Sequence, residues 1–106
     1  MVNQYDVFWG NLDPTIGGEM KKTRPCVVVS PNELNKHLST VIIAPVTSTI
    51  GNYPYRVECN IGSKTGEIAL DQLRCIDKSR LSHVLEKLPP DIISKIKNVI
   101  DAMLVK

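Results

Sequence analysis

Two short apolar runs set the first limit on what this chain can become. Cys26–Val29, "CVVV", and Val41–Val46, "VIIAPV", consist almost entirely of apolar side chains, most of them branched at Cβ. Each run is too short for an ordinary helix, and each is bounded by residues that interrupt regular structure. Arg24-Pro25 precedes the first, and Ser30-Pro31-Asn32 follows it. An unbroken apolar run, in place of alternation, fits a strand covered on both faces. Pro45 is expected to end the second strand or mark a bulge in it.

Other segments read as strands of different exposure. "YRVECNI", residues 55–61, alternates strictly: Tyr55, Val57, Cys59 and Ile61 share one side, and Arg56, Glu58 and Asn60 the other. That is the pattern of a half-exposed strand. "YDVFWGNL" at 5–12, "GEIAL" at 66–70 and "QLRCI" at 72–76 add three more. Gly17-Gly18 and Gly51-Asn52 place long loops at 13–22 and 47–54. Asp77 is expected to cap a single helical turn, with His83 in the connection to the last element.

Only that last element has helical spacing. After Pro89-Pro90, Ile93, Ile96, Ile100 and Met103 recur every three or four residues. The reading is a single domain over residues 1–106, mainly β with a C-terminal α-helix packed on a small twisted or barrel-like sheet. A chain of 106 residues with 42% hydrophobic content can bury one core of ordinary size.

Charge and cysteine usage narrow the function classes. A formal net charge of +2 gives no overall attraction for polyanions, so any such binding must come from local clustering. Cys26, Cys59 and Cys75 are odd in number, far apart and set in apolar surroundings, as expected of reduced core thiols in a cytoplasmic protein. With no C-x-x-C pair and only His37 and His83 to supplement the thiols, neither a metal nor another cofactor is expected. No apolar run of membrane-spanning length and no basic, apolar leader is visible, which again points to the cytoplasm.

One local cluster stands out. Lys21, Lys22 and Arg24 crowd the mouth of the second strand, and Pro25 biases Arg24 to extended geometry. The guanidinium either pairs with a nearby carboxylate such as Glu19 or faces an anionic ligand, since its planar fork matches phosphate. Thr47 and Ser48 close the third strand; they either cap the turn or, if the strands are antiparallel neighbours, join Arg24 at one sheet end. Asp71 and Gln72 sit in a turn between short strands and are exposed there on this reading. Trp9, Tyr53 and Tyr55 are the candidates for stacking an unpaired base; Trp9 is expected in the core, and Tyr53, beside Gly51-Asn52 on a loop, is the better face.

Taken in order, "DVFWGNLDPTIGGEMKKTRPCVVVS", "VIIAPVTS" and "LDQLRCIDKSRL" resemble the MazF/PemK family of toxin endoribonucleases, or mRNA interferases, over nearly the whole chain. The resemblance implies an SH3-like barrel of the CcdB/MazF type, a homodimer, and metal-independent, sequence-specific cutting of single-stranded RNA. It implies Arg24 and Thr47 as the catalytic pair and Glu19, Asp71 and Gln72 along the RNA groove; Lys22 and Ser48 flank the pair as further substrate-binding candidates. It also implies a cognate antitoxin that covers a groove lined by Lys21, Lys22, Arg24 and Arg74. Tyr5 departs from the pattern, because family members usually have glycine there. Two rivals stand beside it: a CcdB-like toxin that binds DNA gyrase on the same barrel, and an adaptor for proline-rich peptides.

Overall fold

The computed structural model describes the whole chain, Met1–Lys106. Seven strands follow one another: β1 (Asp6–Asn11), β2 (Thr23–Val28), β3 (Thr40–Thr47), β4 (Arg56–Ile61), β5 (Lys64–Ala69), β6 (Arg74–Asp77) and β7 (Leu81–Lys87). A helical turn, α1 (Asn32–Asn35), joins β2 to β3, and the C-terminal helix α2 (Pro90–Ile100) runs on into a π-turn over Asp101–Val105. The strands lie in the order β4-β5-β3-β2-β1-β7, every neighbour antiparallel, with β6 also on β3. No helix is long and apolar enough to cross a membrane.

β3 organises the sheet. One edge faces β2; the other is shared, with β6 along Thr40–Ile43 and β5 along Val46–Thr47. Pro45 occupies the handover. Ile42 turns both its N–H and its C=O toward the β2 side. Alternation therefore aims Pro45's missing donor at the other edge, where β6 has ended and β5 has not begun. The proline expected to end or bulge the strand is instead inside it, paired with Cys26, at a place that needs no ladder bond.

β2 is covered on both faces, as its unbroken run predicts. Val27 joins a core with Val7, Ala44, Val57, Ile68 and Ile96, while Cys26 and Val28 join a second with Leu12, Ile43 and Ile76. α2 presents the face that its spacing foretold: Ile96 is fully buried, and Ile93, Ile100 and Met103 pack around the same core. Burying one such side chain stabilises by about 1.5–3 kcal/mol. Asp77 caps the 3-10 turn Lys78–Arg80 by accepting the Ser79 N–H at 2.9 Å.

Three further expectations are corrected. Residues 81–87, read as a connection containing His83, form the edge strand β7. Its side chains are mostly exposed and its pairing with β1 is broken by two register shifts, so no alternation marks it. Cys75 is exposed, because Ile76 takes the inward position on β6. Trp9 is 37% exposed and lies outside the core.

Candidate active site

Strand register brings Arg24 and Thr47 together. β2 and β3 pair Cys26 with Pro45, and the same register continued toward their ends sets Arg24 opposite Thr47. Arg24 Nε donates to the Lys21 carbonyl at 2.9 Å; Nη1 lies 3.5 Å from the Val46 carbonyl and 3.9 Å from Met20 Sδ. None of the chain's four ion pairs includes Arg24. Glu19, the carboxylate that could have neutralised it, turns Oε1 to the Ile16 N–H at 2.8 Å instead. Carbonyl oxygens orient a guanidinium without cancelling its charge, so Arg24 stays available to an anion.

Thr47 is almost buried where β3 ends, and its Oγ1 accepts the Thr49 N–H at 3.2 Å. That bond occupies an acceptor position and leaves the hydroxyl proton free to donate. Behind it β5 passes very close: a Cβ on Gly66 would stand 2.8 Å from the Thr47 carbonyl oxygen. Lys22 reaches the site from the β1–β2 loop with φ at 73°. Two bonds hold that left-handed turn, from Lys22 N–H to Asp13 Oδ1 at 3.2 Å and from Leu12 N–H to the Lys22 carbonyl at 3.1 Å. For a residue with a Cβ this conformation costs roughly 1–2 kcal/mol.

These groups open onto one cavity of about 420 Å³. Arg24, Thr47 and Ser48 form one end, with Lys22 and Thr23 beside them. Trp9 and Leu85 reach it from β1 and β7, and Ile61, Lys64, Thr65 and Gly66 from the β4–β5 hairpin. The lining holds three cations, Lys22, Arg24 and Lys64, and no carboxylate. Hydroxyls and unneutralised cations converging on one space suit an anion with several oxygens, such as a phosphodiester.

Other candidates are placed elsewhere. Asp71 accepts two bonds from Arg56, at 3.0 and 3.1 Å; these hold its carboxyl below the usual range and push the Arg56 pKa up. Gln72 Oε1 accepts the Met20 N–H at 3.3 Å and so tethers the β1–β2 loop. Arg74 donates to the Leu12 carbonyl at 3.2 Å, and Tyr53 lies under Arg56 at 4.8 Å. None of the four, nor Glu19, lines the cavity. Cys26 Sγ lies 3.4 Å from the Arg24 carbonyl oxygen, and burial pushes its thiol up to about 12 despite the nearby Arg24 and Arg74, which disfavours a thiolate there.

Lys64 and Leu85 escaped sequence reasoning, and Trp9 was assigned to the core. For Lys64 and Leu85 the sequence carries no signal, since only the tertiary fold sets the hairpin and β7 beside Arg24. For Trp9 a signal existed: Asn11 follows on the same face, so that face is leaving the core.

Comparison with known proteins gives concordant results. Residues 3–104 match the family described as PemK-like, MazF-like toxin of type II toxin–antitoxin system. The endoribonuclease MazF of Staphylococcus saprophyticus is 33% identical over 110 residues, covering 98% of this chain and 92% of that protein. The crystal structure of MazF from Deinococcus radiodurans superposes with a TM-score of 0.87 at 27% identity, covering 99% of this chain and 97% of that one. A mycobacterial endoribonuclease in complex with its cognate antitoxin shares the fold, with a TM-score of 0.83 at 22% identity over 99% of this chain and 96% of that one.

Proposed function

This chain belongs to the PemK-like, MazF-like toxins of type II toxin–antitoxin systems, and from that premise we propose how it acts. It is an endoribonuclease that cuts single-stranded RNA at short recognition sequences, without a metal, and thereby arrests translation and growth. The observation that carries this reading is an unneutralised Arg24 beside the Thr47 hydroxyl in a cavity without carboxylates.

In the proposed reaction the RNA's own 2′-oxygen gives up its proton to solvent and attacks the adjacent phosphorus, while the bond to the 5′-oxygen breaks and that oxygen takes a proton from solvent. A 2′,3′-cyclic phosphate and a free 5′-hydroxyl result. Arg24 offsets the charge that grows on the phosphoryl oxygens and gives the leaving oxygen a hydrogen bond without transferring its proton. Thr47 donates to a non-bridging oxygen, while Lys22 and Ser48 hold the neighbouring backbone. Arg24 remains protonated throughout, so it stabilises charge and does not serve as the base.

The protein works in the cytoplasm as a homodimer, and a cognate antitoxin with acidic and apolar side chains covers the groove until it is removed. The gyrase-binding alternative is not favoured, because it gives the Arg24–Thr47 arrangement no task. The deciding experiment uses a single-stranded RNA mixture in EDTA with end mapping, then one substrate with a single 2′-deoxy nucleotide at the mapped cut. Cutting should persist in EDTA and cease at the deoxy position while binding continues. Undiminished cutting of the deoxy-substituted RNA would sink the mechanism.

A further inference from the structure

We propose that Trp9 is a nucleobase platform: the base of a nucleotide flanking the phosphate at Arg24 and Thr47 stacks on its indole. The inference rests on the RNA-cutting reading above and adds to it a residue that grips the substrate. Val7 is fully buried, and Trp9, two residues on, is 37% exposed. Alternation puts both on one face, so Trp9 carries the core's apolar surface out into the cavity.

The backbone around Trp9 is irregular in a way that sets its aim. Phe8 pairs with Val84 and Gly10 with Leu81, so Trp9 alone stands opposite both Ser82 and His83. Bulges of this kind redirect a side chain. Ser82 Oγ donates to the Trp9 carbonyl at 3.0 Å and holds the irregularity in place.

The chemistry of the cavity favours a nucleotide there. Trp9, Leu85 and Ile61 offer apolar surface, while Lys22, Arg24 and Lys64 offer charge across the same space. Successive phosphates and flat bases present that alternation of anion and π-face. Tyr53 and Tyr55, the other candidates for stacking, lie outside the cavity, and Arg56 already occupies one face of the Tyr53 ring.

Trp9 is the only tryptophan, so intrinsic fluorescence reads this one position. The probe is an RNA containing the mapped cut sequence, made uncleavable by one 2′-deoxy nucleotide. Its titration should quench the emission in step with binding, and replacing one of the two bases at the cut by an abasic site should abolish the quench. With cleavable RNA, Trp9→Leu should lose about 10- to 100-fold in kcat/KM, Trp9→Phe much less, and the Leu variant's deficit should shrink on the abasic substrate. RNA that binds and is cut without changing the emission, with Trp9→Leu as active as wild type, would overturn the stacking and leave the nuclease reading intact. Failure to bind or cut any RNA would overturn both. If Trp9→Leu does not fold, the fluorescence contrast between intact and abasic RNA decides alone.

Discussion

Arg24 can serve an anion because it lacks a carboxylate partner. Its Nε is fixed to the Lys21 carbonyl at 2.9 Å, so the fork is aimed but its charge is not cancelled. Thr47 is set by the same economy: its oxygen accepts from Thr49 and its proton remains to be given. Arg24→Ala and Thr47→Ala should each lower the cleavage rate by on the order of 100-fold or more, as for other preorganised donors, with the melting temperature little changed. Arg24→Lys should also cut poorly, because a point charge cannot reproduce the planar fork. Near wild-type cutting by Arg24→Lys, measured on the mapped RNA sequence, would remove the role given to the guanidinium. These two residues were legible because both flank apolar strands whose ends can be read from Pro25 and from the run to Val46. Trp9 was misread, since an aromatic side chain inside a strand carries the same local signal whether the strand is passing through the core or leaving it.

At the scale of elements, the site depends on how closely β5 approaches β3. Gly66 permits that approach, because a Cβ there would stand 2.8 Å from the Thr47 carbonyl oxygen, which cannot move aside, and 3.0 Å from Val46 Cγ1. Gly66→Ala should therefore displace Thr47: activity should fall by more than 10-fold, with a stability loss of about 1–3 kcal/mol. A cleavage assay beside a denaturant melt separates the two effects, and a fully active variant would show that the contact is slack. The turn after β5 is tied differently, through Arg56 and Asp71 at the surface. The Asp71 carboxyl is held below its ordinary 3.8 by the hydrogen bond from Arg56, so the tie is complete above that value and is lost as pH falls through the lower folded one. Asp71→Asn should cost about 0.2–1 kcal/mol at neutral pH, and the difference should vanish on acidification. Much of this architecture could be read from residues: the doubly covered β2, the alternation of β4 and the apolar stripe of α2. What could not be read was β7, whose exposed side chains and broken register leave no period, and the neighbour exchange along β3 that makes Pro45 harmless.

For the molecule as a whole, charge is arranged rather than accumulated. The net charge is only +2, and most of the well-placed charged groups are engaged: Asp71 with Arg56, Asp6 with Lys87, Arg74 and Arg80 with backbone carbonyls. Lys22, Arg24 and Lys64 share the cavity with no carboxylate. Attraction for RNA should then be short-ranged and countable. Each phosphate neutralised on a single strand contributes about −0.7 to the slope of log K against log salt, so three cations predict a slope of about −2 per cavity. Removing one of them in Lys64→Ala should bring the slope to about −1.4. The measurement is the affinity for uncleavable RNA, by anisotropy, across a range of sodium chloride concentrations. A slope near zero would mean that binding is carried by stacking alone. A slope unchanged in Lys64→Ala would place Lys64 outside the RNA path, and the β4–β5 hairpin would then be a wall of the cavity without being part of its grip.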